Sequence, residues 1–308
     1  MHRKRLCQTR NMKSNYNFRD RYKSILLIAF LGLIVFLVAG FYRADKLTVT
    51  RYQVESSAFL QPLTIAHLSD LHCCEYGSDN ELLLREISAA KPDMIVMTGD
   101  MISRNSTQKE IAHMLELISA LSQTAPVFYS LGNHELDYIN TQGEAFLSQV
   151  TDAGAIVLER QYQQITLNDQ DIRVGGIYGY LLSPKQQNGP EQEFMRDFSD
   201  TDCPTILLCH MSEGLLDYGS IDEWNVDIVF SGHAHGGQVR LPLFGGLYDP
   251  ETGWFPRYEK GMFQKGESTV IVSSGLGSSE RIPRFNNPPE LVVVSIVPDV
   301  ADSRFGVN

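Results

Sequence analysis

Residues 226–238 read VDIVFSGHAHGGQ, an apolar run from Val226 to Phe230 that ends in two histidines set among glycines. A short apolar run bounded by such residues predicts a buried strand. In extended backbone, residues i and i+2 point to the same side, so His233 and His235 are expected to converge on one point just beyond it. Two converging imidazoles suggest a metal. A lone histidine beside a strand is more often a core or surface residue, so the reading depends on how the other strands end.

They end in the same chemistry. "PLTIAHLSDLH" runs into Asp70 and His72, "PDMIVMTGD" into Asp100, "PVFYSLGNHE" into Asn133, His134 and Glu135, and "PTILLCH" into His210. Each group follows the carboxyl end of a predicted strand, where the loops of an open α/β sheet converge on one crevice. Carboxylate, amide and imidazole donors without a thiolate suit Mn, Fe or Zn, rather than a structural zinc knuckle or a Ca²⁺ cage. The donors are numerous enough for two ions.

The surrounding chain alternates short β-rich runs with helical stretches. "NELLLREISAAK" predicts an amphipathic helix, and Thr107 to Gln123 carries Ile111, Met114, Leu115, Ile118 and Leu121 at helical spacing, a core stripe. A further helix is expected around Thr141 to Ala153. "AIVLE", "QQITL" and "IRVGGIYG" predict three strands with no helix between them, and "STVIVSSG" and "ELVVVSIV" close the domain. The strands suffice for two sheets. "SSGLGSS" lacks the lysine of a phosphate-binding loop, which argues against a nucleotide-driven motor.

Residues 25–42, ILLIAFLGLIVFLVAGFY, carry no charge over about the length needed to cross a hydrocarbon core. Eight basic residues (Arg3, Lys4, Arg5, Arg10, Lys13, Arg19, Arg21 and Lys23) precede it against the single acid Asp20. By the positive-inside rule this predicts a cytoplasmic N-terminus and an extracytoplasmic catalytic domain on a single-pass membrane anchor. The run is long for a cleaved signal peptide and ends in a poor cleavage site. The expected organisation is a basic cytoplasmic segment (1–24), the anchor (25–42), a linker with the edge strand "TVTRYQVES" (43–61), the catalytic domain (62–298) and a tail (299–308). A monomer is expected.

From residue 25 onward, 18 basic residues face 36 acidic ones, a net charge near −18. Such a body is a poor general nucleic-acid binder, because phosphate contacts need clustered Lys and Arg. Cys7, Cys73, Cys74, Cys203 and Cys209 are too few and too irregular for a disulfide framework. Cys73 and Cys74, beside His72, read as space-filling thiols.

The series Asp70-Leu-His72, Gly99-Asp100, Gly132-Asn133-His134-Glu135, His210 and Gly232-His233-Ala-His235, in this order, resembles the motif set of the calcineurin-like metallophosphoesterases over roughly residues 62–298. The strings "GGQVRLP", "GLG" and "PRFNNPPE" resemble the bacterial, membrane-anchored, YkuE-like branch of that family. The resemblance implies a four-layer α-β-β-α sandwich of two mixed sheets. It implies that Asp70, His72, Asp100 and His235 hold one divalent metal while Asp100, Asn133, His210 and His233 hold the other. His134 is then the histidine facing the scissile phosphate, and Glu135 the acid that orients it. The family often has a second acid three residues after the Gly-Asp pair, where this chain has Ser103.

The implied activity is hydrolysis of a phosphodiester or pyrophosphate by a metal-activated bridging hydroxide. Proximity to the membrane adds a lipid headgroup or a nucleotide-linked lipid precursor as substrate, since some relatives of this branch cleave UDP-diacylglucosamine. Arg281 and Arg284, read as surface residues, could grip a phosphate or sugar acid bidentately. Two rival classes are weaker: a non-catalytic metal-binding scaffold predicts an altered His134, which is intact, and a nuclease disagrees with the acidic balance.

Overall fold

The computed structural model describes residues 3–180, 182, 189–249, 251–278 and 283–299, with side chains from residue 20 onward. Arg281 and residues 300–308 lie outside the described residues. In chain order the strands are β1 (Thr48–Ser56), β2 (Leu63–Leu68), β3 (Met94–Thr98), β4 (Val127–Ser130), β5 (Ala155–Leu158), β6 (Gln161–Leu167), β7 (Gln170–Ile177), β8 (Thr205–Cys209), β9 (Ile228–Ser231), β10 (Arg240–Leu241), β11 (Gly245–Gly246), β12 (Tyr248–Asp249), β13 (Gly253–Trp254), β14 (Gly261–Lys265), β15 (Ser268–Val272) and β16 (Glu290–Pro298). The helices are α1 (Arg3–Ala44), α2 (Glu81–Ala90), α3 (Gln108–Ser122), α4 (Asn133–Gln142), α5 (Ala145–Asp152), α6 (Pro190–Ser199) and α7 (Glu213–Leu216).

Two six-stranded sheets, β1-β16-β2-β3-β4-β5 and β14-β15-β9-β8-β7-β6, are each mixed. The period-two alternation of side chains explains how they stack. Ile65, Met94, Val96 and Phe128 from the first sheet meet Ile206, Leu208, Ile228, Phe230 and Ile271 from the second in one apolar layer. The intervening residues face outward. Ile95, Met97, Val127 and Tyr129 pack with Ile111 and Ile118 of α3 and Phe146 and Val150 of α5. Leu207, Val229, Val270 and Val272 pack with Phe194, Met195 and Phe198 of α6. The result is the expected helix–sheet–sheet–helix sandwich. Both faces of its central parallel strands are buried, which is why they read as continuous apolar runs.

Local differences have local causes. Thr107 is the N-cap of α3, closing a capping box with Glu110, so the helix proper starts one residue later than its periodicity suggests. The helix expected around Thr141 to Ala153 is the end of α4 and then α5, parted at Gly143, whose φ of 96° a helix cannot accept. The chain crosses from the first sheet to the second between β5 and β6. Two small ribbons, β10–β11 and β12–β13, interrupt the run between β9 and β14 and were not legible as strands. β1 is an edge strand, paired in parallel with β16. Within α1, Asp20–Ala44 is long and apolar enough to cross a membrane, a test that an anchor and a signal sequence both pass.

Candidate metal centre

The turns leaving β2, β3 and β9 hold their candidate donors in left-handed backbone: φ is 51° at Asp70, 47° at His72, 52° at Asp100, 65° at His233 and 47° at His235. Such conformations cost about 1–3 kcal/mol each for non-glycine residues and persist where the surroundings over-determine them. Here main-chain bonds lace the turns together. Asp70 N–H donates to Gly99 O at 3.0 Å and His72 N–H to Asp100 O at 3.0 Å, while Gly232 N–H reaches His210 O at 3.1 Å. Gly232 is packed so closely on Ser69 and Asp70 that a Cβ would collide with both side chains.

These φ values correct the extended-backbone account of the SGHAHGG stretch. β9 stops at Ser231, His233 is left-handed, and His235 opens a single 3₁₀ turn. The two imidazoles therefore join different groups of donors instead of one point. His235 sits with Asp70 and His72: its Nε2 is 3.3 Å from His72 Nε2 and 3.6 Å from Asp70 Oδ1. His233 sits with Asp100 and His210, whose Nε2 is 3.5 Å from Asp100 Oδ2 and 3.2 Å from Asn133 Oδ1. A third group joins His72, Asp100 and His134, with both imidazole Nε2 atoms 3.9 Å from Asp100 Oδ2. Asp100 thus stands between the clusters.

Burial sets the charge states. It pushes His72 and His233 down to about 3 and His235 well below the usual histidine range, so all three are neutral donors. Burial also acts against the charged forms of His210 and Asp100, but their mutual attraction prevails: His210 is raised to about 10, and Asp100 is held well below the usual carboxylate range. Burial, reinforced by the Asp100 charge, lifts Asp70 to about 7.

These groups fit divalent cations. His210 Nδ1 lies 2.6 Å from Thr98 O, so its N–H donates there and Nε2 faces the crevice beside Asp100, where a cation would take the place of its proton. Among the described residues, His233 Nε2 is buried with no hydrogen-bond partner. His72 and His235 bring two imidazole nitrogens to 3.3 Å, an approach that a cation accepting both lone pairs reconciles.

Glu135 is wholly buried and gathers five donors: Asp100 N (2.7 Å), Met101 N (2.7 Å), Ile102 N (3.3 Å), Gly132 N (2.9 Å) and Tyr129 Oη (2.8 Å). It clamps the Asp100 turn to the start of α4. His134 N–H donates to Asp100 Oδ1 at 2.8 Å, and its Nδ1 accepts from Arg104 N at 2.9 Å, which leaves the ring proton on Nε2. Ser103, at the position of the missing acid, places its hydroxyl 3.4 Å from His72 Nδ1.

Arg284 departs from the surface role expected for it. It is buried, and its Nη2 donates to Ser274 O at 2.6 Å and Gly275 O at 3.2 Å and approaches His235 Nδ1 at 3.4 Å. Bonded in this way, it braces the glycine loop and His235 from behind. Arg281, its expected companion, lies outside the described residues. Cys73 and Cys74 are free thiols packed against the first sheet's helix-side core. The sequence reading missed His67, buried between the sheets with Nε2 2.8 Å from Thr98 Oγ1, which in turn donates to Ser69 at 2.8 Å. Its signal was present, a histidine at the inward parity of Leu63 and Ile65.

Residues 63–237 match the family described as calcineurin-like phosphoesterase. The chain belongs to this family. It is 28% identical over 265 residues to the uncharacterized metallophosphoesterase YkuE of Bacillus subtilis, covering 84% of this chain and 88% of that one. It is 27% identical to the phosphodiesterase YaeI of Escherichia coli, covering 77% and 83% of the two chains. It is 25% identical to the UDP-2,3-diacylglucosamine pyrophosphatase LpxG of Chlamydia trachomatis, covering 88% and 95%. As a calcineurin-like phosphoesterase the protein is a metal-dependent hydrolase of phosphate esters, from a family that uses divalent metals.

Proposed function

We propose that this phosphoesterase works with two divalent cations, Mn, Fe or Zn, on a phosphodiester or pyrophosphate at the membrane surface. The observation that carries the reading is the convergence of seven donors from five strand ends on one buried crevice, with His233 Nε2 buried and unpartnered among the described residues. Asp70, His72, Asp100 and His235 would hold one cation and Asp100, Asn133, His210 and His233 the other, with Asp100 shared. Bound cations supply an acidified water and offset the charge that develops on the phosphoryl oxygens.

The chain's own residues do the rest. Asp100 spends Oδ1 on the His134 N–H, which leaves Oδ2 to face the imidazoles. His134, held through its main chain and Nδ1, keeps an Nε2–H directed at the crevice; it would donate to a phosphoryl or leaving oxygen. Glu135 acts through position: five donors on one carboxylate keep the Asp100 turn from relaxing out of its left-handed conformation. Neutral His72, His233 and His235 need lose no proton to bind cations, whereas His210 and Asp70 must, so affinity should weaken as the pH falls.

Substrate choice rests on the membrane reading and on the relatives. α1 is read as an uncleaved anchor with the basic N-terminus cytoplasmic and the body outside. LpxG is named for a nucleotide-linked lipid and YaeI for phosphodiesters, so a lipid headgroup or a precursor such as UDP-diacylglucosamine is the substrate class to test. The full chain in detergent, loaded with Mn²⁺, should cleave bis-p-nitrophenyl phosphate and at least one lipid-linked diester or pyrophosphate faster than any monoester. Turnover confined to monoesters would overturn the substrate class. Protease added to intact spheroplasts should digest the body; protection until lysis would reverse the orientation.

A further inference from the structure

The last turns of α1 do not stand clear of the body. Phe36 and Phe41 pack edge-on against Phe285, with ring centroids 5.3 and 5.2 Å apart. Gly40 is buried beneath the same ring, where any Cβ would collide with it, and Gly40 O accepts from Asn286 N at 3.0 Å. Gly40 and Phe36 lie four and eight residues before the helix end at Ala44, about 6 and 12 Å along its axis. A body residue that touches the span at this depth places its own loop at the level of the bilayer surface.

Phe285 is also joined to the first ribbon. It forms a parallel bridge with Val239, and its carbonyl accepts from Arg240 N at 2.9 Å. The β10–β11 turn that follows carries Leu243 and Phe244, 102% and 69% exposed, and Phe255, 54% exposed, lies 6.3 Å from Phe244 between ring centroids. Leu243 and Phe255 hold left-handed backbone, with φ of 71° and 55°, an uncommon conformation for large apolar side chains that face solvent. Arg257 follows, exposed.

We propose that Leu243, Phe244 and Phe255 form a lipid-docking surface. They seat in the interfacial region of the leaflet from which α1 emerges, with Arg257 at the level of the lipid phosphates. This rests on reading α1 as a membrane span. A few apolar side chains at the tip of a ribbon suit insertion among lipid headgroups better than a stable protein interface, which needs at least about 1,000 Å². The arrangement also explains how the anchor serves the site. The loop that grips α1 through Phe285 and Asn286 carries Arg284 and Asn287, which contact His235 Nδ1 at 3.4 Å and His235 O at 2.7 Å. Docking would hold the metal crevice at the lipid surface, where a headgroup reaches it without leaving the bilayer.

The test uses the full chain in vesicles of phosphatidylethanolamine and phosphatidylglycerol, with part of the lipid brominated near the headgroup end of one acyl chain. Trp224→Phe and Trp254→Phe remove the native tryptophans, and Phe244→Trp then supplies a single fluorophore. A second protein carries Phe30→Trp, in the exposed middle of α1, in the same background. The expected result is strong bromine quenching of both, compared with unbrominated vesicles. Quenching at residue 30 without quenching at residue 244 would overturn the docking surface while keeping the span. If such a protein also ran as a dimer in detergent that L243D/F244D split, the patch would belong to a second copy. Absence of quenching at both positions would refute the span itself, and the docking surface with it.

Discussion

The two sheets furnish the crevice with different chemistry. The first supplies both carboxylates, Asp70 and Asp100, the Asn133 amide and the imidazoles of His72 and His134; the second supplies imidazoles alone, His210, His233 and His235. Their support differs in the same sense. First-sheet turns are laced to one another and clamped by the buried Glu135. Second-sheet donors lean on the first sheet: His210 Nδ1 on Thr98 O, and His233 N–H on Asp70 Oδ1 at 3.1 Å. Negative charge and rigidity therefore reside in one half, while the other closes the site with imidazoles. Substitutions in the two halves should differ in kind.

The largest effect is expected at Asp100, the residue proposed to be shared by both cations. Asp100→Asn removes the charge that the proposed pair of cations would share, and since a bound ion contributes several kcal/mol of transition-state stabilisation, diesterase activity should fall by more than about 10³. Steady-state assays on bis-p-nitrophenyl phosphate measure this; a loss below tenfold would mean that the crevice does not depend on a shared carboxylate.

His134→Ala should come next, lowering turnover by about 10²–10⁴ while bound metal is retained. If its Nε2–H protonates the leaving oxygen, the loss will be smaller for p-nitrophenyl esters than for alkyl diesters. Equal losses would point to charge stabilisation. Loss of metal would instead make a ligand of His134, as its grouping with His72 and Asp100 allows.

Glu135→Gln tests the rigid half with the smallest change of shape. Replacing one carboxylate oxygen with an NH₂ turns it against the donors it serves, a cost of about 3 kcal/mol and a fall of order 10 °C in thermal midpoint. Calorimetry should show this together with reduced activity. A midpoint within 2 °C of wild type, allowing about 2–4 °C per kcal/mol, would deny Glu135 its clamping role.

The same contrast governs what the sequence reveals. The layering was legible because buried parallel strands write unbroken apolar runs, and the donors were legible because each run ends in a ligand-type side chain, three of them just after a glycine. The conformation at those ends was not. From letters alone, His233 and His235 look extended and co-directed, whereas the turn after Ser231 rotates them into separate clusters through two positive φ values. Glu135 was assigned to its sequence neighbour His134, yet three of its five donors come from residues about 35 positions earlier, Asp100 to Ile102, a pairing only the sheet register creates. Arg284 looked solvated because its loop is polar and rich in proline; it is buried because main-chain carbonyls of the glycine loop surround it. The ribbons from β10 to β13 have two-residue strands, too short for any periodicity to register.

The central claim is that two cations lie between the sheets and share Asp100. Its most direct measurement is elemental analysis of Mn²⁺-loaded protein for wild type, His233→Ala, His235→Ala and Asp100→Asn, compared under one dialysis condition. The account predicts two ions per wild-type chain, the loss of one in each histidine variant, and the loss of both in Asp100→Asn. Two ions retained in Asp100→Asn would contradict it.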